Sequence, residues 1–277
     1  MRRALVLGGG GVTGVAWELG LLAGLVERGV PVTEADLVVG TSAGSVVGAQ
    51  VCSGLPVQRF YAEQLAPPSS AVAARLGFAV LARLIWAGGR SRDAVRSRAR
   101  IGAMAVAART PSEASQRAVI EARLPQREWP ARRLLVTAVD AASGEFVVFD
   151  RDSGVSLVDA VGASCAVPGV WPPVTIGARR FVDGGMRSSV NADLAVDARA
   201  VLVLAPTSAS FGPMPRLSAQ VAGLRAAGSR VVVVTPDAAA RAAIGRDVLD
   251  PARRAGAARA GRAQADGVGD EVAALWV

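Results

Sequence analysis

The pentapeptide Gly40-Thr41-Ser42-Ala43-Gly44 contains the residue best suited to chemistry in this sequence. A Gly-x-Ser-x-Gly turn between a strand and a helix exposes a nucleophilic serine at the edge of an α/β sheet. Such a serine normally passes its proton to an imidazole, but the chain of 277 residues contains no histidine. Either the pentapeptide is an inert turn, or a carboxylate replaces the imidazole as the base.

The surroundings of Ser42 favour a functional turn. A buried strand is predicted over 36–39, where three apolar residues follow Asp36, and an Ala- and Val-rich helix is predicted over 44–53. The N-terminal dipole and free N–H groups of that helix would point at Ser42 and stabilise an alkoxide or a tetrahedral oxyanion. Glycines flank the serine because side chains there would collide with the strand and the helix.

Four consecutive glycines, 8–11, follow the first predicted strand, and three interpretations of this loop are open. Successive glycine N–H groups can form a concave nest for an anion, here an oxyanion hole made by Gly9, Gly10 and Gly11. Gly9, Gly11 and Gly14 also satisfy the Gly-x-Gly-x-x-Gly dinucleotide fingerprint. However, the second predicted strand does not end in the acidic residue that would hold the ribose. The third interpretation is a tight turn between a strand and a helix.

The base for the serine has to come from the carboxylates. Asp183 is the best candidate because it ends a predicted strand before two glycines, and strand ends share one edge of a parallel sheet. With an ordinary pKa of about 4 it would be a weak base, so it would need a direct hydrogen bond to Ser42 and a strong oxyanion hole. Asp140, Asp150 and Asp197 compete on composition alone. Asp140 precedes a turn and Asp197 lies in a helical run, which favours structural roles for both.

Composition narrows the class of protein. The net charge is +8 and every basic residue is Arg, yet Ala, Arg, Gly and Val dominate throughout, which is typical of a GC-rich genome. No aromatic residues are interleaved with the arginines, so nucleic-acid binding is disfavoured. Without histidine most zinc and haem sites are excluded, and we expect no metal and no cofactor.

The two cysteines, Cys52 and Cys165, are too few for a disulfide framework and are interpreted as small buried thiols. The start Met1-Arg2-Arg3 and the apolar run 4–7 resemble a signal peptide only briefly, because glycines and Glu18 interrupt the run. No apolar stretch reaches transmembrane length. We therefore expect a cytoplasmic protein, with transient peripheral contact to a membrane surface left open.

The alternation of short apolar runs with helical patterns predicts an α/β fold whose mainly parallel sheet carries helices on both faces. In the first helix, Trp17, Leu21, Leu22 and Leu25 would form one apolar face. Strands are predicted over 4–7, 36–39, 134–139, 145–149, 180–182, 201–204 and 231–234. Helices are predicted over 15–28 and 44–53, and in an Ala- and Arg-rich tail from residue 251 that would pack at the edge.

Residues 56–125 are predicted to form a cap-like helical insertion. Within it, the run 71–86 is a strongly apolar helical pattern that carries Arg75 and Arg83, and several arginines follow. One interpretation is a helix packed on the sheet, followed by a solvated helix. The other is an interfacial surface that meets anionic lipid. Both are compatible with a lid over an active site.

The glycine-rich loop, the Gly-Thr-Ser-Ala-Gly turn and Asp183-Gly184-Gly185, in this order and without histidine, resemble the patatin-like phospholipase family. The segment Ala163-Ser164-Cys165-Ala166-Val167-Pro168, followed by Pro172-Pro173, is similar to the family's Ala-Ser-x-Ala-x-Pro block, and Asn191 also fits. These blocks span about residues 4–205. The resemblance implies a three-layer α/β/α sandwich, which we expect to form a single domain over residues 1–277.

The same resemblance implies a function. Members of the family cleave acyl esters of phospholipids and other lipids through an acyl-enzyme and without metal. Carried over to this chain, Ser42 is the nucleophile, Asp183 is the base, and Gly9, Gly10 and Gly11 form the oxyanion hole. The expected partner is therefore a lipid or another acyl ester, and the oligomeric state is left open.

One position departs from the family's pattern. The family's loop usually ends Gly-x-Arg-Gly or Gly-x-Lys-Gly, whereas here Thr13 offers a hydroxyl and no charge to an oxyanion or a lipid phosphate. Ser164 is a poor rival nucleophile, because Pro168 follows closely and no glycine pair flanks it, so its block is interpreted as structural support. Two rival classes stay open: a nucleotide-binding oxidoreductase that uses the glycine loop, and a catalytically inactive lipid-binding relative.

Overall fold

The computed structural model describes residues 2–67, 91–208 and 213–276, and within these ranges eight strands form one mixed sheet. Its parallel part has the order β3-β2-β1-β7-β8, while β4 and β6 pair antiparallel with β3, and β5 pairs with β6. The mainly parallel sheet predicted from the apolar runs is confirmed. The strands are β1 Arg3–Leu7, β2 Leu37–Gly40, β3 Arg133–Asp140, β4 Phe146–Phe149, β5 Val174–Ile176, β6 Arg179–Asp183, β7 Ala200–Leu204 and β8 Arg230–Val234.

Helices cover both faces of this sheet, as expected for strands that are apolar on both sides. In β1, the side chains of Leu5 and Leu7 face one hydrophobic cluster, and those of Ala4 and Val6 face another. The fold is therefore a three-layer α/β/α sandwich. The α-helices in the described ranges are α1 Gly11–Glu27, α2 Ala43–Cys52, α3 Val57–Leu65, α4 Ala94–Ala107, α5 Glu113–Glu121, α6 Leu157–Ser164, α7 Leu217–Ala226, α8 Ala238–Ile244 and α9 Arg254–Trp276.

The predicted apolar face of helix α1, with Trp17, Leu21, Leu22 and Leu25, is fully buried, and burial extends beyond it around most of the helix. The reason is α9, which packs along α1 and also contacts β7 and β8 at the edge of the sheet. The two helices approach closely at Gly20, where an added Cβ would lie 2.0 Å from the carbonyl oxygen of Ala258. Inside this contact, the Trp17 indole N–H donates to Gln264 Oε1 over 2.9 Å.

Most predicted elements are present with ends shifted by one residue, but some differ. Helix α1 begins at Gly11, four residues earlier than predicted, so the last of the four glycines is helical. Strand β5 and helices α6, α7 and α8 were not predicted. Helices α3, α4 and α5 lie within the predicted insertion, while the apolar helix predicted over 71–86 lies outside the described residues. None of the helices described is both long enough and apolar enough to cross a membrane.

Candidate active site

Strand β3 brings the two predicted catalytic segments together. Val136 pairs with Gly40 of β2 and with Phe149 of β4, and Ala138 pairs with Val147 of β4 and with Asp183 of β6. Because β4 occupies one edge of β3 at both positions, β2 and β6 must share the other edge. They meet there end to end, since β2 runs parallel to β3 and β6 antiparallel. The expectation that Asp183 ends a parallel strand is therefore wrong. Asp183 ends the antiparallel strand β6, whose direction brings it to the end of β2.

The turn after β2 has the strained geometry that the motif predicts. Ser42 has φ 53° and ψ −119°, outside the regions that L-residues normally adopt, and α2 begins at the next residue. The turn is tight because Gly44 lies against β1, where an added Cβ would be 2.1 Å from the carbonyl oxygen of Leu7. The Ser42 carbonyl oxygen accepts hydrogen bonds from the Ser45 N–H and hydroxyl at 2.9 and 2.6 Å. These contacts hold the Ser42 side chain at the edge of the sheet.

The Ser42 hydroxyl donates to Oδ2 of Asp183 over 2.6 Å. The other carboxylate oxygen, Oδ1, accepts the N–H of Gly185 over 2.7 Å. Asp183 is 2% exposed and Ser42 is 9% exposed. Burial raises the pKa of Asp183 to about 7, against the two hydrogen bonds, which stabilise the ionised form and lower it. A carboxylate with this pKa can accept a proton at neutral pH far better than an ordinary aspartate.

The glycine loop lies directly against the serine. An added Cβ on Gly9 would be 3.4 Å from the Ser42 Cβ. The N–H of Gly9 donates to the Ser189 carbonyl over 2.7 Å, so this predicted oxyanion donor is already occupied. The N–H groups of Gly10 and Gly11 have no hydrogen-bond partner among the described residues. Gly11 has φ +61°, which turns the backbone at the start of α1.

Thr13, which replaces the family's cation, does not face the serine. Its side chain is fully buried, and both its N–H and its hydroxyl donate to the carbonyl oxygen of Val248, at 3.1 and 3.2 Å. The segment around Val248 thereby lies over the start of α1, with Leu249 packed against Gly11. Thr13 therefore anchors a C-terminal segment to the glycine loop and offers no group to a ligand.

The block around Ser164 supports the Ser42 turn, as predicted from the sequence. Ser164 Oγ accepts the N–H of Ser42 over 2.9 Å, and the residue is fully buried. The thiol of Cys165 lies 3.3 Å from the Ser42 carbonyl oxygen, within donor reach. Burial, together with the nearby Asp183 carboxylate, raises the pKa of this thiol to about 12. Cys165 is half-buried while Cys52 is buried, so the prediction of two buried thiols holds fully only for Cys52.

The competing aspartates lie elsewhere and make structural contacts. Asp140 accepts the N–H groups of Ala142 and Ser143 at 2.9 and 2.8 Å and pairs with Arg179 at 2.6 Å. The pKa of Asp140 is lowered, because these hydrogen bonds outweigh the opposing effect of burial. Asp150 holds a turn by accepting the N–H of Asp152 over 3.1 Å. The exposed Asp197 lies in a turn after a short 3₁₀ helix rather than in a helix.

The dinucleotide interpretation has no acidic residue where it needs one. The C-terminal end of β2 carries the Ser42 turn. Asp36 lies before the first residue of β2, where its Oδ2 accepts the backbone N–H of Arg3 over 2.7 Å. No group of three or more His, Cys, Asp or Glu side chains among the described residues could hold a metal ion.

Comparison with solved structures gives two remote likenesses. The crystal structure of VipD from Legionella pneumophila shares 14% identity and a TM-score of 0.47, over 98% of this chain and 67% of that chain. The crystal structure of the type III effector protein ExoU shares 16% identity and a TM-score of 0.40, over 98% of this chain and 53% of that chain. At these TM-scores neither likeness supports a conclusion about this protein's activity.

Comparison with protein families gives a clear result. The family model described as patatin-like phospholipase matches residues 5–196, which is more than half of the chain. The matched range contains the glycine loop, Ser42, Asp183 and the block around Ser164. The chain therefore belongs to the patatin-like phospholipase family.

Proposed function

We propose that this protein is a serine acyl hydrolase that cleaves carboxylic esters of lipids through a Ser42–Asp183 dyad and an acyl-enzyme. The observation that carries the proposal is the 2.6 Å hydrogen bond from the Ser42 hydroxyl to a buried carboxylate, in a chain without histidine. Membership of the patatin-like phospholipase family supports a lipid ester as the substrate.

In the first half of the reaction, Ser42 Oγ attacks the ester carbonyl carbon as its proton moves to Oδ2 of Asp183. The C=O π-electrons move to the carbonyl oxygen and form a tetrahedral oxyanion. Collapse of this intermediate breaks the bond to the leaving alkoxide, and Asp183 returns the proton to that oxygen. An acyl ester of Ser42 and a free alcohol result, and Asp183 is again ionised.

The oxyanion needs hydrogen-bond donors that are already in place when charge develops. In this proposal the N–H groups of Gly10 and Gly11 supply them, since both are unpaired within the described residues and belong to the loop that abuts Ser42. Gly9 contributes close approach to the serine rather than a donor. The N–H of Ala43 at the start of α2 is a further unpaired donor beside the nucleophile in the described part of the chain.

In the second half, water replaces the alcohol. Asp183 takes a proton from the water as its oxygen attacks the acyl carbon, and the same donors hold the second oxyanion. When this intermediate collapses, the C–O bond to Ser42 breaks and Asp183 returns the proton to Oγ. The products are a free carboxylic acid and the regenerated serine. The whole cycle uses no metal or cofactor.

The proposal is tested by turnover. Purified wild type, Ser42→Ala and Asp183→Asn are incubated with vesicles of phospholipids that differ in headgroup, with neutral acylglycerols and with a soluble ester, and mass spectrometry follows release of fatty acid. We expect hydrolysis by the wild type and a loss of about 1,000-fold or more in both variants. Undiminished hydrolysis in Ser42→Ala would refute the dyad, and preference for vesicles over soluble ester would support contact with a membrane surface.

The two rival classes give different results in the same preparation. A nucleotide-binding oxidoreductase would bind NAD(P) in a calorimetric titration and leave every ester intact. An inactive lipid-binding relative would bind the vesicles equally well as wild type and Ser42→Ala, with no acid released at any acyl chain length.

A further inference from the structure

Asn191 is the only asparagine in the chain, and it lies between the two halves of the candidate dyad. It is fully buried and has the left-handed conformation, with φ 54° and ψ 41°. Asparagine adopts this conformation more readily than most residues, but a buried side-chain amide still requires partners for all its polar atoms. Those partners come from both catalytic segments.

The amide nitrogen of Asn191 donates in two directions. On one side Nδ2 lies 3.0 Å from Oγ1 of Thr41, the residue before the nucleophile. On the other side it lies 2.9 Å from the carbonyl oxygen of Ser188 and 3.4 Å from that of Gly184, in the turn that follows Asp183. The two protons of one NH₂ group thus join the turn that carries the serine to the turn that follows the aspartate.

The amide oxygen is held from a third direction, which fixes the orientation of the group. Oδ1 of Asn191 accepts Nη1 of Arg187 over 2.9 Å. Arg187 in turn forms a two-bond ion pair with Asp193, at 2.8 and 2.6 Å, and its guanidinium lies 4.4 Å from the centre of the Phe146 ring. Because Arg187 can only donate, the amide must present its oxygen to Arg187 and its NH₂ group to Thr41 and Ser188.

We propose that Asn191 is a positioning residue for the reaction, which ties the Ser42 turn to the turn after Asp183 and so sets the distance between Oγ and Oδ2. This inference rests on the proposed function. No histidine lies between the serine and the carboxylate to relay the proton, so proton transfer depends directly on the distance between Oγ and Oδ2. A displacement of about 1 Å in such a geometry lowers a rate by about 100-fold.

Two substitutions distinguish the effect of the Asn191 side-chain amide from the effect of its left-handed backbone conformation. Asn191→Gly removes the amide and tolerates the positive φ without strain. Asn191→Asp keeps the shape and the left-handed conformation but loses both N–H donors. In each variant we expect kcat on an acyl ester to fall by about 100-fold, while KM stays within about threefold of wild type. The control is Gln264→Ala, which removes a buried amide hydrogen-bonded to Trp17 and Thr235 in the α1–α9 contact, away from the dyad.

The pH profile distinguishes positioning from general support of the fold. If the Ser42–Asp183 hydrogen bond loosens, it lowers the pKa of Asp183 less, and burial raises that pKa further. The midpoint of kcat/KM against pH therefore moves upward in Asn191→Gly and Asn191→Asp. We expect Gln264→Ala to lower stability with unchanged kcat and midpoint. Full activity in Asn191→Asp, or variants whose activity falls without any change in the midpoint, would overturn the proposal.

A spectroscopic measurement keeps this inference separate from the proposed function. Because the chain has one asparagine, labelling with side-chain ¹⁵N-asparagine gives a single NH₂ pair in the NMR spectrum of the intact protein. We expect its proton shifts to change in Ser42→Ala and in Asp183→Ala, neither of which adds a second asparagine, and to stay constant in Gln264→Ala. A pair that responds to neither dyad variant would refute the coupling, whatever the protein hydrolyses. An inactive wild type with a responsive pair would refute the hydrolase instead.

Discussion

The Ser42 hydroxyl and the Asp183 carboxylate, 141 positions apart in the chain, form a hydrogen bond of 2.6 Å inside the fold. An aspartate in water is a weak base for a serine, which is the chemical difficulty of a dyad without histidine. Burial raises the pKa of Asp183 to about 7, which makes its carboxylate a stronger base. The same burial that makes this carboxylate a better base also makes its charged form costly to the fold.

The activity is expected to rise with pH. Because Asp183 accepts a proton only when ionised, kcat/KM for an activated ester should increase through a midpoint close to 7, the raised pKa of this group. The measurement is kcat/KM between pH 5 and 9, with Ser42→Ala as the blank for spontaneous hydrolysis. A profile without change over this range, or with a midpoint near 4, would contradict an essential role for the Asp183 carboxylate.

Asp183→Asn should lose activity, but its stability relative to wild type should increase as pH rises. An acid whose pKa is raised by folding stabilises the native state at low pH, and this contribution is lost as pH rises through the folded pKa, here from about 4 to about 7. Asparagine carries no such dependence. We expect the free energy of unfolding of the variant, minus that of wild type, to increase by about 2 to 4 kcal/mol between pH 4 and 8.

Chemical denaturation at several pH values measures this difference. Asp197→Asn is the matched control, because Asp197 is exposed and lies outside the dyad. A difference for Asp183→Asn that is independent of pH, or that shrinks as pH rises, would show that the carboxylate is not the buried acid described here.

Ser164→Ala should lower activity through the position of the serine. Ser164 Oγ accepts the Ser42 N–H over 2.9 Å, and its loss leaves a buried donor unpaired in an already strained turn. We expect kcat to fall about tenfold and stability to fall by about 1 to 3 kcal/mol. The control is Ser156→Ala at the other end of α6, where the hydroxyl caps the helix and donates to Asp159 Oδ2, and its loss costs about 1 kcal/mol. Equal kcat in the two variants would contradict the role assigned to Ser164.

Introducing an arginine at position 13, where the resemblance implies a cation, should not raise kcat/KM. Thr13 is fully buried and bonded to the Val248 carbonyl, so Thr13→Arg must displace the segment around Val248 or push a charge into an apolar site. We expect a lower melting temperature and no gain in kcat/KM, whereas Thr13→Val should lose only about 1 kcal/mol of stability. A stable Thr13→Arg with higher kcat/KM would show that this position faces the substrate after all.

The cysteines should react slowly in the native protein. Burial raises the pKa of both thiols to about 12, so almost no thiolate is present at pH 8, although Cys165 adjoins Ser42. We expect iodoacetamide to modify the unfolded chain quickly and the native chain hardly at all, as read from peptide masses. Rapid and selective alkylation of Cys165 in the native protein would contradict this description of its surroundings.

Most of the strands and the strained turn at Ser42 could be predicted because each depends on local pattern. Mostly apolar runs of four to six residues indicated the parallel strands, and the glycines that flank Ser42 indicated its strained turn. The burial of α1 beyond its apolar face could not be predicted, because it depends on α9, more than 200 residues later in the chain. The contacts of the fully buried Asn191 amide could not be predicted for the same reason, since its partners meet only in the folded protein.

The glycine loop shows where residue type is insufficient. Gly9, Gly10 and Gly11 are identical in the sequence, yet the Ser189 carbonyl occupies the N–H of the first and the other two remain unpaired within the described residues. Likewise, from the sequence alone Thr13 offers its hydroxyl to an oxyanion or a lipid phosphate, whereas in the fold that hydroxyl donates to the Val248 carbonyl. In both cases the deciding contact comes from a segment that is distant in sequence.

Covalent labelling by a fluorophosphonate tests the central claim most directly, because it reports the activated nucleophile without requiring the natural substrate. Wild type, Ser42→Ala and Asp183→Asn are treated alike at pH 8 and digested, and the modified peptide is identified by mass. The dyad predicts a single adduct on Ser42 in the wild type and none in either variant. An adduct on another residue, or labelling of Asp183→Asn at the wild-type rate, would contradict it.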